Sequence, residues 1–247
     1  MSADRRVRSI SVPEPAATLH PHLATPTASG RVRVDCHLHT CYSGDAVTTI
    51  DELAERVEST KLDVLCITDH HAIRGAIEAA ARDVGCRVVV GEEVRTARGE
   101  LIGLFLRERV PHGLSPEETV ARIRDQGGVV YAPHPFDPAR RPLAEEALRE
   151  LCAAGAIDAV EIFNAKTSLA SVNARAGAFA REFDLPGGAG SDAHGPEAIG
   201  AAYVEMDDFD GSGDFVTALS DAHIVGHYFD PAREWTPRVI PSGLTPS

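Results

Sequence analysis

The chain has 247 residues, 43% of them hydrophobic, and a formal net charge of −13. This length and composition suffice for one sizeable hydrophobic core, so a single folded domain is expected. An acidic chain repels a phosphate backbone, which argues against binding to extended nucleic acid, although net charge says little about one local phosphate site. The sequence has no apolar run of about 18 residues, so no membrane span is expected.

The cysteines and the chain ends indicate the compartment and the domain limits. The five cysteines form no C-x-x-C pair, a usage that predicts reduced thiols in a cytoplasmic protein. Residues 1–30 lack the apolar core of a signal peptide, and their Pro, Ala, Ser and Thr content predicts a disordered leader. Residues 236–247 contain three prolines and are interpreted as a tail. A single domain is therefore expected at 31–235.

From residue 31 onward, short apolar runs typical of strands alternate with helical patterns. Strands are predicted at 31–36, 62–68, 87–94, 98–106, 129–135, 156–164 and 185–190. Helices are predicted at 49–60, 73–85, 115–128, 142–155 and 168–183. The segments 201–206, 214–222 and 223–229 complete the series.

Local signals fix several helix ends. Thr48 or Thr49 can cap the first helix. Ser115 is followed by a proline and, three residues on, by a glutamate, which predicts a capping box at the start of the third helix. Gly85 is predicted to end the second helix as a C-cap.

The alternation of strands and helices indicates an α/β fold on a parallel sheet. About seven strand–helix repeats are present, close to the eight of a (β/α) barrel. The strand at 98–106 follows the preceding strand without a helix between them. These two strands are therefore expected to pair antiparallel.

Side chains that bind metals follow the carboxyl ends of six predicted strands. The motifs are VDCHLH (34–39), TDHH (68–71), GEE (91–93), APHP (132–135), EIFN (161–164) and GSDAH (190–194). Ligands of parallel α/β folds bind at the carboxyl ends of strands, so these groups are expected at one rim. Imidazole and carboxylate groups bind Zn²⁺, Mn²⁺ and Fe²⁺.

The spacing within these motifs favours chelation. His37 and His39 are two residues apart in a strand, as are Asp192 and His194, so each pair leaves on one face. Taken singly, each motif has a structural explanation, such as a helix cap or a turn. The H-x-H pattern also occurs at 20–22, where it follows no strand and is interpreted as leader composition. Recurrence at successive strand ends is what indicates a metal cluster.

The ordered motifs resemble the PHP family, named for polymerase and histidinol phosphatase. The matching segments are DCHLHTCYS (35–43), CITDHH (66–71), VVGEEV (89–94), APHP (132–135), AVEIFN (159–164) and GSDAH (190–194). This resemblance covers roughly residues 31–230. It implies a distorted (β/α)₇ TIM-like barrel that binds two or three divalent ions at its C-terminal rim and hydrolyses phosphoesters. Manganese, zinc and iron are the implied metals, with magnesium as a further candidate.

By position in these motifs, the resemblance assigns metal ligands in three overlapping groups. These are His37, His39, Glu93 and Asp192 for one ion, Glu93 and His134 for a second, and Asp45, His70 and His194 for a third. The predicted catalytic residues are Asp192, His194, Glu93 and His71. His71 is interpreted as a general acid or supporting group at the rim, with a turn histidine as the alternative.

Two positions depart from the family pattern. Members often have Ser-Asp-Gly after the second histidine, whereas this chain has Ser43, Gly44 and Asp45 in that order. Many members also carry a further histidine after the fifth strand, where this chain has EIFN. Glu161 or Asn164 is a candidate substitute ligand, and the number of ions, two or three, stays open.

Several cations beside the motifs are candidates for gripping a substrate phosphate. They are Arg74, Arg95, Arg140 and Lys166, each with an exposed surface cation as the alternative interpretation. His223 and His227 lie outside the motifs and are interpreted as structural or surface residues. No serine or cysteine has a dedicated base beside it, so nucleophilic catalysis is the weaker hypothesis.

The sequence therefore favours a cytoplasmic phosphoesterase in which divalent metals activate the attacking water and the substrate is a small phosphate monoester. The short stretch between Glu93 and His134 leaves no room for an inserted domain, so a compact member is expected. The alternatives are a phosphodiesterase or exonuclease on short oligonucleotides and a non-catalytic metal-binding accessory protein. An amidohydrolase is a further alternative, since that fold also places H-x-H on its first strand.

Overall fold

The computed structural model describes residues 30–167 and 169–229. Residues 1–29 of the predicted leader at 1–30, with its H-x-H pattern, and the predicted tail at 236–247 lie outside the described residues.

Strands and helices alternate through the described residues. The strands are β1 (Arg31–Leu38), β2 (Val64–Ile67), β3 (Arg87–Thr96), β4 (Gly99–Leu104), β5 (Val129–Ala132), β6 (Ala159–Asn164), β7 (Gly187–Gly190), β8 (Ala202–Asp207) and β9 (His223–Gly226). The helices are α1 (Ile50–Thr60), α2 (Arg74–Arg82), α3 (Pro116–Arg124), α4 (Glu145–Ala153), α5 (Ala170–Glu182) and α6 (Ser212–Leu219).

One sheet contains all nine of these strands, in the order β7-β6-β5-β4-β3-β2-β1-β8-β9. β1, β2 and β3 run parallel, as do β5, β6 and β7. β4 pairs antiparallel with both β3 and β5, which confirms the predicted antiparallel pairing. β8 and β9 extend the sheet antiparallel beyond β1.

The first seven strands curl into a nearly closed barrel. The Asp192 amide donates to the His37 carbonyl at 2.7 Å, and the His39 amide donates to the Ala193 carbonyl at 3.0 Å. These bonds join the carboxyl end of β1 to the segment after β7. The distorted seven-stranded barrel is therefore confirmed, with a hairpin in place of one β–α unit.

The helix caps follow the sequence at two of three predicted positions. Thr49 and Ser115 each form a capping box at the start of α1 and α3. The predicted C-cap at Gly85 is wrong, because α2 ends at Arg82 and its cap is Asp83 in the left-handed region, with φ 51°. Aspartate tolerates this conformation, and the early end allows the chain to turn and bury Val84.

The core fills the barrel and the space under the helices. Tyr131 and Phe163 are among its largest fully buried side chains. Gly188 on β7 makes room for Tyr131, since a Cβ at this glycine would lie 2.5 Å from the Tyr131 hydroxyl. All five cysteines are free, as predicted. Among the described residues, no helix combines the length and apolar character needed to cross a membrane.

Candidate active site

The polar residues that follow the strands meet around one pocket at the rim of the barrel. Its volume is about 510 Å³. Histidines, carboxylates and arginines dominate its lining, which consists of Gly44, Asp45, His70, His71, Glu93, Arg95, Glu100, His134, Ala139, Arg140, Arg141, Asp192 and His194. The structure therefore brings together most of the residues predicted from the strand ends.

The chain turns sharply where three of these side chains enter the pocket. His71, His134 and Asp192 have positive φ angles of 55°, 27° and 49°. A non-glycine residue in this region costs about 1–3 kcal/mol, and such strain is common at functional sites. β2 and β5 end at Ile67 and Ala132, before the ends at 68 and 135 that the apolar pattern predicts, whereas β7 ends at Gly190 as predicted.

The first cluster contains His37, His39, Glu93 and Asp192, of which Glu93 and Asp192 line the pocket and the two histidines are fully buried. The Nε2 atoms of the two histidines lie 3.1 Å apart. Glu93 Oε2 lies 3.4 Å and 3.3 Å from these two atoms, and Asp192 Oδ1 lies 3.8 Å and 3.5 Å from them. All four side chains are almost completely buried.

The hydrogen bonds behind this cluster show that it fits a divalent cation. Nδ1 of His37 lies 3.1 Å from Glu161 Oε1, and since a carboxylate only accepts, this nitrogen carries the proton. Ser43 Oγ lies 3.2 Å from Nδ1 of His39 and can accept its proton. Both Nε2 atoms then direct lone pairs at one centre between two carboxylates, which is the donor set that Zn²⁺, Mn²⁺ and Fe²⁺ prefer.

Burial and mutual attraction oppose each other in the first cluster. Burial alone lowers the pKa of His37, but Glu161, Asp192 and Glu93 raise that pKa well above its usual range. Burial raises the pKa values of Glu93 and Asp192, but His37 and its neighbours hold both well below their usual range. The buried carboxylates therefore remain charged, as metal ligands must.

A second cluster combines Glu93, Glu100 and His134, whose ligand atoms lie within 4.8 Å of one another. His134 Nε2 lies 2.9 Å from Glu93 Oε1. Burial, together with the nearby Glu93, raises the pKa of Glu100 to about 7. Sequence reasoning missed Glu100 because only carboxyl ends of strands were considered. β4 runs antiparallel, so its first residues lie at the rim, and the predicted hairpin was the signal for it.

The third cluster contains Asp45, His70 and His194. Asp45 Oδ2 lies 3.4 Å from His70 Nε2 and 3.3 Å from His194 Nε2. Nδ1 of His194 lies 3.0 Å from the Asp192 carbonyl, which directs Nε2 toward Asp45. His39 contributes a further nitrogen to this group. The altered Ser-Gly-Asp order thus still delivers the carboxylate to the third group.

Glu161 and Asn164 support the clusters from behind. Glu161 accepts hydrogen bonds from His37, from the His134 amide at 2.7 Å and from the Asn164 side chain at 2.9 Å. Asn164 also donates to Asp192 Oδ2 at 3.2 Å, while its oxygen accepts from the Lys166 amide at 2.9 Å. Glu161 is absent from the groups of converging ligand atoms found among the described residues, and the Asn164 side chain bonds to two carboxylates.

Two cations lie against Asp192. Arg140 Nη2 is 3.1 Å from Asp192 Oδ2, and Lys166 Nζ is 4.0 Å from Oδ1. Burial lowers the pKa of Lys166. A buried hydrogen bond from Thr167 to Asp137 joins the two loops that carry these cations.

The other two candidate cations, Arg74 and Arg95, do not pair with Asp192. Arg95 lines the pocket. Arg74 instead lies over the Tyr42 ring, 5.5 Å from its centroid, and is not part of the lining.

The remaining polar candidates differ in their relation to the pocket. His71 lines it, and its buried Nδ1 has no hydrogen-bond partner among the described residues. Glu92 points to the opposite side of β3, where it accepts from the Val110 amide at 2.7 Å. His223 is exposed on β9, and His227 follows that strand, outside the pocket lining.

Family models match almost all of the described chain. The PHP domain model matches residues 35–165, and the model for the PHP-associated region matches residues 170–223. Two uncharacterized proteins of Methanocaldococcus jannaschii are similar in sequence. One is 39% identical over 146 residues, covering 54% of this chain and 82% of the relative. The other is 34% identical over 177 residues, covering 71% of this chain and 70% of the relative.

Solved structures share the fold at low sequence identity. A two-domain protein from Bacteroides vulgatus, containing a predicted PHP-like metal-dependent phosphoesterase, has a TM-score of 0.67 and 16% identity and covers 86% of this chain and 70% of its own. An amidohydrolase from Chromobacterium violaceum with bound sulfate has a TM-score of 0.55 and 17% identity. The match covers 78% of this chain and 97% of the amidohydrolase. Endonuclease Q, solved with a 27-mer duplex, has a TM-score of 0.57 and 15% identity. The match covers 79% of this chain and 60% of Endonuclease Q.

Proposed function

Because the chain belongs to the PHP domain family, matched over more than half its length, we propose that it is a metal-dependent phosphoesterase that hydrolyses small phosphate monoesters. One observation carries this proposal. Three converging imidazole–carboxylate clusters form the floor of a single pocket, and Arg140 and Lys166 lie directly beside them on Asp192.

The clusters divide the ligands among two or three divalent ions. The proposed ligands are His37, His39, Glu93 and Asp192 for the first ion, Glu93, Glu100 and His134 for the second, and Asp45, His70 and His194 for the third. Bound divalent cations supply Lewis-acid chemistry, lowering the pKa of a coordinated water and offsetting the charge of phosphate oxygens.

The protein's own cations would hold the phosphoryl group. Arg140 reaches Asp192 from the pocket wall, and its guanidinium can bind two phosphate oxygens at once. Lys166, on the neighbouring loop, adds a second positive charge. The Thr167–Asp137 hydrogen bond fixes the spacing between the two loops. A monoester dianion matches two such charges better than a diester monoanion does.

His71 is our candidate for acting on the leaving group. It lines the pocket, and its Nδ1 is buried without a partner among residues 30–167 and 169–229. A hydrogen bond from this atom to the departing oxygen would both satisfy the buried nitrogen and stabilise developing negative charge.

The size of the pocket supports a small substrate. About 510 Å³ is within the range of pockets that enclose metabolite-sized molecules. We further propose that the catalytic domain spans residues 31–235 and works in the cytoplasm, where its free cysteines remain reduced.

Phosphate release from a panel of monoesters, with Mn²⁺, Zn²⁺ or Mg²⁺ added, tests the proposal. The wild type is compared with Asp192→Asn and with His223→Ala, which alters an exposed histidine away from the pocket. We expect metal-dependent release that falls by about a hundredfold or more in Asp192→Asn and is unchanged in His223→Ala. Metal content, measured on the same preparations, shows whether the sites are loaded.

Other outcomes would favour the alternatives. Faster cleavage of bis(p-nitrophenyl) phosphate or of a short oligonucleotide than of any monoester would indicate a phosphodiesterase or nuclease. Hydrolysis of cyclic amides without phosphate release would indicate an amidohydrolase. Full metal loading with no hydrolysis of any substrate would indicate an accessory protein.

A further inference from the structure

Two arginines form the outer wall of the pocket, on the hairpin side. Arg95 on β3 lies directly opposite Glu100 on β4 in the strand register. On the other side of Glu100, its amide donates to the Arg141 carbonyl at 2.9 Å. The backbones of Arg95 and Arg141 therefore flank one residue of the second cluster, and both side chains line the pocket.

Neither arginine side chain makes a close contact, although Arg95 is near enough to Glu100 to lower the pKa of that carboxyl. Within residues 30–167 and 169–229, neither guanidinium makes an ion pair, a hydrogen bond or a stacking contact. Arg140, the third arginine of the lining, pairs instead with Asp192 at 3.1 Å. Arg98, in the turn that follows Arg95, pairs with Glu146 and Glu150 at 3.0 Å and 3.1 Å.

Unpaired arginines at this position are informative because the chain is acidic. With 37 acidic residues against 24 basic ones, carboxylates are in excess. Arg95 and Arg141 nevertheless line the pocket without a close carboxylate partner among the described residues, beside the cluster of Glu93, Glu100 and His134. A guanidinium so placed attracts anions that enter the pocket and can bind one bidentately.

We propose that Arg95 and Arg141 form a second anion subsite, so that the substrate carries a further phosphate or carboxylate in addition to the phosphoryl group that is cleaved. This inference rests on the proposed function for the first subsite, at Arg140 and Lys166. The substrate class is then a small phosphate ester with two anionic groups, bound across the metal clusters. The outer pair selects the substrate, and the inner pair holds the reacting group.

Binding of phosphonates, which are not hydrolysed, tests the subsite without relying on catalysis. Calorimetry on the metal-loaded protein compares propylphosphonate with α,ω-alkanediphosphonates of increasing chain length and with ω-carboxyalkylphosphonates. The three probe types separate a second phosphate from a carboxylate, and the chain length scans the distance between subsites. The variants are Arg95→Gln with Arg141→Gln, and Arg122→Gln as a control that removes one positive charge from an exposed position on α3.

The wild type is expected to bind the best two-anion probe about tenfold or more tightly than propylphosphonate. In the double variant this advantage should fall below about twofold while the affinity for propylphosphonate is kept, and Arg122→Gln should resemble the wild type. Equal affinity for one-anion and two-anion probes at every chain length would overturn the subsite. So would an equal loss for both probes in the double variant, because that indicates general attraction.

Two further results separate this inference from its alternatives. If no ester is hydrolysed but the two-anion preference is present and lost in the double variant, the proposed function fails and the subsite stands. If a single-stranded oligonucleotide binds more tightly than every small probe and depends on the same two arginines, the small-molecule assignment is overturned in favour of a nucleic-acid phosphate.

Discussion

Glu161 shows how one residue can orient several candidate metal ligands from behind them. Its carboxylate accepts from Nδ1 of His37, from the backbone of His134 and from Asn164. It thereby fixes the tautomer and the ring orientation of His37 and holds the turn that presents His134. Mutation of a group that hydrogen-bonds to a metal ligand in this way typically lowers metal affinity by roughly tenfold to hundredfold.

Glu161→Gln is therefore expected to weaken metal binding about tenfold to hundredfold, because one acceptor oxygen becomes an NH₂ that faces existing donors. Competition with a fluorescent chelator measures the affinity. Glu117→Gln, on the exposed start of α3, is the matched control. Unchanged affinity in Glu161→Gln would show that His37 is oriented by other contacts.

Glu92 and Glu100 lie on the same hairpin but face different surroundings. Glu100 joins Glu93 and His134 at the rim, whereas Glu92 is buried on the far side and bonds to the Val110 amide. Glu100→Gln should lower the metal content by one ion per chain and leave the melting temperature of the metal-free protein nearly unchanged. Glu92→Gln should keep the full metal content. Mass spectrometry for metals decides between them, and equal metal content in both variants would remove Glu100 from the site.

At the level of single residues, the sequence predicts well which side chains converge where a strand runs toward the rim. His37, His39, Glu93 and Asp192 converge because parallel strands end at the same edge. Glu100 escaped prediction since an antiparallel strand exposes its beginning there. Arg141 escaped because it follows no motif and is placed by its backbone bond to Glu100.

β7 and β1 approach each other closely where the barrel closes. A Cβ on Gly190 would overlap the Cβ of His37 and lie 2.7 Å from Glu161 Oε1. The absence of a side chain therefore lets the two strands approach and keeps the first cluster compact. The sequence shows the glycines of β7, but their purpose depends on the neighbour across the barrel, which no local pattern identifies.

Gly190→Ala should push β7 away from β1 and disturb His37. Overpacking of this kind costs about 1–3 kcal/mol, which lowers the melting temperature of a domain of this size by about 2–12 °C. Gly213→Ala, where a Cβ would meet nothing within 4 Å, is the control. Thermal unfolding followed by circular dichroism measures both, and a Gly190→Ala variant as stable as its control would contradict the close packing.

Helix starts were easier to predict than helix ends. The capping boxes at Thr49 and Ser115 are predicted from the residues that follow them, because a capping box is a local hydrogen-bond pattern. The end of α2 depends on where the buried face runs out and on which residue accepts a left-handed backbone. Gly85 has that backbone, with φ 88°, but Asp83 adopts it two residues earlier.

For the molecule as a whole, the clusters concentrate negative charge where the barrel closes. Asp45, Glu93, Glu100 and Asp192 all reach the same pocket. Like charges this close destabilise the fold unless cations lie between them. Metal binding and folding stability are therefore linked.

Chelation should lower the melting temperature, because a ligand that binds the folded state at a hundred times its dissociation constant contributes about 2.7 kcal/mol. We expect a fall of about 5–10 °C with a chelator, restored by added Mn²⁺ or Zn²⁺. Asp192→Asn should show a smaller response to metal. A melting temperature insensitive to chelator and metal, with loading verified, would contradict this link.

The seam between β1 and β7 also dictates when the site is assembled during protein synthesis. His37 and His39 leave the ribosome early, but their partner Asp192 and its backbone bond to His37 come from the last third of the chain. At about 5–20 residues per second, the two histidines wait roughly ten to thirty seconds for that partner. Until Asp192 has been made, a nascent chain therefore holds three of the four side chains of its first cluster. The complete cluster is consequently formed only after β7 has been synthesised.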